Sequence, residues 1–555
     1  MDIQRTILWI VFSLSLLLLW DNWMRHTGNQ SLFFPSATEQ AAPAAGSAAP
    51  RDEARNDVPQ ASATPPAPGA VPPAEPQKTG ETVTITTDLY KAEVDLQGGT
   101  IRRLELLKHH DSVDPTRNVV LLDASASRTY MAQTGLIGGP APGAAFPNHR
   151  SPFVARPGPR TLTGDSLQLV LESSENGVTL VKTYTFHKDS YTIDVQHQVV
   201  NQTAEPITPS VYLQILRDGN KPEGESSLYR TFTGPAVYSD AEKFQKIKFE
   251  DIGPNGAPHV KQADDGWVAM VQHYFVTAFV PPQGQAREYY TRRVDNNLYA
   301  VGAIVPLGSV AAGATASSES KLYVGPQESA RLEKVAEGLD LVKDYGWLTV
   351  LARPIFWLMN QIHKVLNNWG WTIIALTVLI KLAFFPLSAA SYRSMAKMRT
   401  VTPKMQSIRE RYKDEPQKMN QAMMELYKTE KINPLGGCLP IVVQIPVFIA
   451  LYWVLLASVE MRNAPWLGWI HDLASPDPFY ILPIVMAVSM FVQTRLNPTP
   501  PDPIQAKVMM IMPIVFSVMF FFFPAGLVLY WVVNNILSIA QQWVITRKIQ
   551  SGQKA

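Results

Sequence analysis

The chain has 555 residues, and its 49 basic against 47 acidic side chains leave a formal net charge of +2. That balance gives no electrostatic footprint for nucleic acid, and a single cysteine, Cys438, excludes an internal disulfide. A P-loop, a dinucleotide-binding glycine pattern, HExxH and CxxC are all absent from the sequence, so no cofactor is expected.

The run Ile7 to Trp20 suits a signal-peptide core or a signal anchor. The Asp21-Asn22-Trp23-Met24-Arg25 that follows lacks a small-residue cleavage pattern, which favours an uncleaved anchor helix over residues 1–24. Residues 25–80 are dominated by Ala, Pro and Ser, a composition that buries too little apolar surface to order itself, and read as a tether. From Glu81 to Lys343 the period becomes two, in Thr82–Thr86, Leu167–Leu171, Val178–Phe186, Tyr191–Gln196 and Val211–Ile215, with Gly, Pro, Asn and Asp between them. Many short alternating strands predict a large β-sandwich. Its His187, His197, His259 and His273 lack metal-ligand spacing.

Over 344–368 the period turns helical: Leu348, Leu351, Ile355, Leu358, Ile362 and Val365 recur at three- and four-residue steps. This predicts an amphipathic helix at the membrane surface, interrupted near Pro354, or else a helix packed on the sandwich. Apolar spans follow at Trp369–Leu387, Leu435–Leu456, Pro478–Phe491, Val508–Phe523 and Leu527–Val544, the last two joined by Pro524-Ala-Gly526 as a tight hairpin. With the anchor they make six transmembrane helices. Between Ser388 and Pro434 lie ten Lys and Arg residues against five acids, which predicts a cytoplasmic loop, both termini cytoplasmic and the β domain on the far side.

That loop reads as a helical hairpin over 389–434. Thr402-Pro403 suits a helix start, with Met405, Ile408 and Tyr412 as one apolar stripe; Pro416 starts a second helix with Met419, Met423, Leu426 and Tyr427 as the other. A Met-rich seam either captures varied apolar segments or simply packs one helix on the other.

Lys381 lies inside the second span. A Lys near a helix centre costs roughly 2.5–3.5 kcal/mol, so it is read either as functional or as snorkelling over the six residues, about 9 Å of helix, that separate it from Leu387. Thr377 lies one turn from it, and Gln444 follows the entry of the third span. In the last span Asn534, Ser538, Gln541 and Gln542 repeat at about four-residue spacing, with Trp531 a turn earlier. These polar faces predict either interhelical hydrogen bonds or a wet cavity open to the cytoplasm, and the absence of a membrane-embedded acid favours the cavity.

Lys381 five positions before Pro386, Ser394-Met-Ala-Lys-Met-Arg399, Glu430-Lys-Ile-Asn-Pro-Leu-Gly-Gly-Cys438, Pro446-Val-Phe448, Trp469-Ile-His-Asp-Leu473 and Pro524-Ala-Gly-Leu-Val-Leu-Tyr530 together resemble the YidC membrane protein insertases of Gram-negative bacteria. The resemblance is most specific over Trp369 to Arg547. It implies a polytopic α-helical membrane protein in the bacterial inner membrane. Its parts are a five-helix insertase core (369–547), a large periplasmic β-sandwich domain, a cytoplasmic helical hairpin and a short tail (548–555). The implied activity is insertion and folding of integral membrane proteins, alone or with the Sec translocon, without an enzymatic reaction. The implied groove holds Lys381, Thr377, Gln444, Tyr530, Trp531, Asn534, Ser538 and Gln542. At the position of Lys381 the family carries an arginine, so the charge is kept and the planar five-donor fork is lost. Implied partners are nascent membrane proteins, the Sec translocon and its accessory subunits, the ribosome, the signal recognition particle receptor and membrane lipids, with no direct nucleic-acid contact. The rival readings are a transporter or channel using Lys381 as an intramembrane charge, an enzyme using the β domain, and an assembly factor for spans already inserted.

Overall fold

The computed structural model describes residues 58–59, 80–141, 144–222, 231–253, 256–413, 415–430, 439–496 and 503–552. The expected anchor and most of the expected tether lie outside them.

The period-two segments form strands because alternate residues have an apolar interior to face. Along Ser166–Glu175, Leu167, Leu169 and Leu171 are buried while Gln168 is exposed. Two antiparallel sheets of nine strands result. One runs from Thr82–Thr86 through Thr100–His110, Thr129–Ile137, Ser210–Asp218 and Leu298–Pro306 to the edge at Gln262–Ala263. The other runs from Lys243–Lys246 through Trp267–Val271, Thr315–Pro326, Thr192–Asn201 and Val178–His187 to Val154–Ala155. Their inner faces share one core, in which Leu104, Tyr130 and Ile215 of the first sheet meet Leu180, Ile193 and Phe279 of the second.

Three neighbouring strands, Gly234–Ser239, Trp267–Val271 and Phe275–Val280, are buried along their whole length. The segment after the last strand accounts for this: helix α1 (Ser329–Val335) and the turn Leu339–Val342 add Leu332, Leu339 and Val342 to the same core. The Trp267 indole N–H donates to the Glu337 carbonyl at 3.0 Å.

Cationic side chains lie wholly inside the sandwich, Lys182 and Arg217 among them. Lys182 donates from Nζ to the carbonyls of Gly98 and Thr134, both at 2.7 Å, and sits 4.5 Å from the Phe153 ring centroid. Gly98 has φ +86°, and a Cβ there would collide with the His149 carbonyl, so only glycine brings this carbonyl to the ammonium.

The helical half comprises α2 (Thr349–Leu366), α3 (Trp369–Ala383), α4 (Phe385–Arg411), α5 (Pro416–Thr429), α6 (Leu439–Ala457), α7 (Ile481–Leu496), α8 (Pro503–Phe520) and α9 (Ala525–Gly552). The expectations about it need four corrections. First, the span Trp369–Leu387 is broken at Phe384, and α3 meets the Phe385–Ser394 part of α4 at 63°. Pro386 has no N–H to continue the ladder and its ring excludes the carbonyl one turn back. Second, α4 continues through Thr402-Pro403; Pro403 is exposed, where solvent can satisfy the carbonyl it leaves unpaired. Third, α2 is not interrupted at Pro354 and packs on α3 and α6, burying Ala352, Phe356 and Met359. Leu348 is also buried and Ile355, Leu358 and Ile362 half-buried, but Leu351 and Val365 are exposed. Fourth, the turn between α8 and α9 is Phe521–Pro524, since Ala525 and Gly526 already belong to α9; α8 packs on α7, and α9 packs on α7, α3 and α4.

By length and composition, Ala525–Arg547 is the described helix able to cross a membrane, and α3 with Phe385–Ser394 passes the same test as one bent pair. Gln444–Ala457 and Ile481–Leu496 are shorter apolar helices.

Lys182 makes the sandwich pH-sensitive. Burial pulls its pKa from 10.5 down to about 7. Between pH 7 and 10.5 the unfolded chain binds the proton and the folded chain does not, so stability rises with pH across that window. We expect the Tm of the β domain in the intact protein to rise from pH 7 to pH 9.5, and the rise to be smaller in Lys182→Met. Parallel pH profiles for the two proteins would contradict this.

Candidate functional site

Helix α9 places Asn534, Ser538 and Gln542 at successive four-residue steps, which stacks them on one face. All three are buried, at 8%, 4% and 5% exposure. Helix α3 lies against α9 and carries Lys381 in its last turn, immediately before the bend at Phe384. The C-terminal end of a helix bears partial negative charge, which favours a cation there.

Lys381 donates from Nζ to Ser538 Oγ at 2.8 Å. Ser538 donates its own proton back to the Asn534 carbonyl at 2.7 Å, leaving its lone pairs for the ammonium. The Asn534 side chain accepts through Oδ1 from Gln444 Nε2 of α6 at 2.9 Å. The network thus joins α3, α9 and α6 through Lys381, Ser538, Asn534 and Gln444. Among the described residues its cation has a hydroxyl for partner and no carboxylate. Lys381 itself is half-buried.

The aromatic members lie on the Gln444 side. The Trp531 ring centroid is 4.3 Å from Phe448 of α6 and 5.7 Å from Phe520 of α8, and Tyr530 stacks on Phe448 at 6.0 Å. The Trp531 indole N–H is buried without a hydrogen-bond partner among the described residues.

Two predicted groove residues turn elsewhere. Thr377 donates to the Ile373 carbonyl of its own helix at 2.6 Å. Gln542 donates to the carbonyl of Leu496, the last residue of α7, at 3.2 Å. A second polar pair was missed from the sequence: Asn535 donates to Ser489 of α7 at 3.3 Å. Its signal was Ser489, a lone hydroxyl inside the apolar run Ile484–Phe491.

In the hairpin, Met405 and Val401 of α4 are buried against Met423, Leu426 and Tyr427 of α5. Ile408, Tyr412 and Met419 are half-buried. The seam therefore packs one helix on the other, while Met424 stands 57% exposed.

Two family models match, the YidC periplasmic domain over residues 82–358 and the 60Kd inner membrane protein over residues 361–553. A membrane protein insertase YidC from Janthinobacterium sp. (strain Marseille) is 64% identical over 99% of both chains. Those from Cupriavidus necator and Bordetella petrii are 62% and 56% identical, each covering 100% of this chain and 99% of the relative. The chain belongs to the YidC family of membrane protein insertases. A solved structure of an active YidC insertase aligns over 83% of this chain and 92% of that one, with 16% identity and a TM-score of 0.39; the family assignment rests on the sequence relatives. Membership makes the protein an inner-membrane insertase with a periplasmic β-rich domain, and not an enzyme.

The Gln444 to Asn534 hydrogen bond predicts a measurable coupling. In reversible unfolding in bicelles, Gln444→Ala and Asn534→Ala combined should cost less than the sum of the single changes by about 0.6 kcal/mol, the usual size for an interhelical pair in a membrane. Strict additivity would show that the pair does not hold in the bilayer.

Proposed function

We propose that this insertase receives the polar flank of a nascent membrane protein at Lys381, in a wet groove lined by Ser538, Asn534, Gln444 and the aromatic pair Tyr530 and Trp531. The observation that carries the reading is the ammonium of Lys381, half-buried on the Ser538 hydroxyl with no carboxylate beside it among the described residues. An intramembrane cation without a protein counter-ion is cheapest where water reaches it, and there it attracts an incoming acid.

The route has three steps. The basic hairpin α4–α5 meets the substrate on the cytoplasmic side, and its Met405, Met423, Leu426 and Tyr427 seam opens to hold an apolar segment. That cluster is small, so little apolar contact is lost when it parts. Lys381 then draws the substrate's polar flank into the cytoplasmic leaflet, which shortens the low-dielectric path that remains. Burial of the apolar segment in lipid supplies the driving force, about 25 cal/mol per Å² removed from water. Thr377 and Gln542 support the groove walls by satisfying carbonyls of their own and the neighbouring helix.

The charge asymmetry of the chain supports six spans with both termini and the hairpin cytoplasmic. The Sec translocon, the ribosome and the signal recognition particle receptor are the expected partners, with the exposed basic residues Lys404, Lys418 and Lys428 of the hairpin as the contact surface.

Two unit charges 4 Å apart in water interact by about 1 kcal/mol, and reversing one charge doubles the difference. We therefore expect Lys381→Glu to reduce insertion of a substrate with an acidic translocated tail about thirtyfold more than that of a neutral-tailed one. Lys381→Arg should insert both. Equal losses on both substrates would remove the charge-attraction step. We also expect Lys381→Cys, in a Cys438→Ser background, to react with a membrane-impermeant thiol reagent from the cytoplasmic side; protection from it would mean the groove is dry.

A further inference from the structure

We propose that the periplasmic domain sets the position of α6, the helix bearing Gln444, through a buried latch in which Lys343 holds Glu460 and His273 holds the Leu456 carbonyl. These are positioning residues for the groove, and the inference rests on the groove reading above.

The latch lies where one core ends and the other begins. Leu339 and Val342 belong to the sandwich core, and Tyr345 and Leu348 belong to the helical core. Lys343, between them, is fully buried, and its Nζ donates to both oxygens of Glu460 at 2.9 and 3.1 Å. Its ammonium also lies 3.8 Å from the ring centroid of Phe356 on α2. Glu460 stands just past the end of α6, in the turn Val459–Met461.

Two more contacts converge on that helix end. His273, at the turn between Trp267–Val271 and Phe275–Val280, bonds through Nε2 to the Leu456 carbonyl at 2.9 Å. A carbonyl can only accept, so Nε2 carries the hydrogen, and the bond satisfies one of the carbonyls that a helix C-terminus leaves orphaned. Burial pulls the pKa of His273 down to about 4, so the ring is neutral near pH 7. Arg462 donates to the His110 carbonyl at 2.6 Å and packs 5.4 Å from the Phe275 ring centroid.

Surface pairs flank the joint, Lys246 with Asp344 at 2.6 Å and Arg353 with Asp340 at 2.8 Å, and contribute little by themselves. The buried pair differs. Removing one partner strands the other charge, whereas replacing both by apolar side chains is often neutral. Gln444 and Leu456 are twelve residues apart on α6, about 18 Å at 1.5 Å per residue. Ala450, Leu451, Val454 and Leu455 between them are buried, so a shift of the latched end is carried along the helix rather than absorbed in loose packing.

The test uses the full chain in nanodiscs with Cys438→Ser. Spin labels at Val154 of the β domain and Leu467 of the extracytoplasmic loop report docking; both positions are exposed. The rate of disulfide formation between Gln444→Cys and Asn534→Cys reports the groove end of α6. Lys343→Met alone and Glu460→Gln alone should broaden the label distance and slow cross-linking at least about tenfold. The double variant Lys343→Met with Glu460→Leu should restore both, which a chain that merely misfolds would not do. Unchanged distance and cross-linking in the single variants would overturn the proposal. So would broadened docking with unchanged cross-linking, because the latch would then hold the domain without holding the helix. Slowed cross-linking with full insertion activity would support the latch and count against the groove reading instead.

Discussion

A lysine ammonium kept inside an apolar helix bundle is the constraint on which the helical half depends. On insertion scales such a charge costs roughly 2.5–3.5 kcal/mol near mid-membrane, and each neighbour of Lys381 lowers that cost. The break at Phe384 puts it in the last turn of α3, at the negative end of the helix dipole. Ser538 accepts from it, and can do so because its own proton is committed to the Asn534 carbonyl. Asn534 is in turn held by Gln444. The same bend that ends α3 starts α4, which leads to the basic hairpin. The place of the cation and the start of the helix that leads to the basic hairpin thus share one cause, the missing N–H of Pro386.

The periplasmic half obeys a different rule. Its stability comes from a sandwich core continuous between two sheets and sealed by the segment that carries the chain to Lys343. Buried cations occur in both halves with different partners. Lys182 is enclosed by two carbonyls and a ring, and Lys343 by a carboxylate and a ring. Of the three, Lys381 is the one with a neutral hydroxyl for partner and partial exposure, the arrangement that leaves a charge available to a third party.

The periodicities were legible in the sequence because each reports only which side of a segment is buried. Thr82–Thr86, Val178–His187 and Ser210–Asp218 are strands where alternation predicts them. The stacking of Asn534, Ser538 and Gln542 follows from helical geometry alone. What a segment meets was not legible. Thr377 and Gln542 share the spacing of Lys381, Asn534 and Ser538, but they donate to backbone carbonyls. Proline misled in both directions: Pro386 breaks a span that looked continuous, while Pro354 and Pro403 sit inside helices expected to stop or start there. Whether a proline breaks a helix depends on whether packing or solvent compensates the lost bond, which is a tertiary property. The latch was invisible for the same reason. Lys343 and Glu460 are 117 residues apart, and His273 was weighed only for metal-ligand spacing, whereas its partner is a helix end.

The most direct test of the account is protease protection of a two-span substrate with an acidic translocated region, added to liposomes containing only this purified protein and no nucleotide. The account predicts protection well above empty liposomes, because attraction to Lys381 and burial of apolar surface need no other energy source. Protection no greater than in empty liposomes, appearing only once the Sec translocon is supplied, would contradict it and make the groove a folding site for spans delivered by another machine.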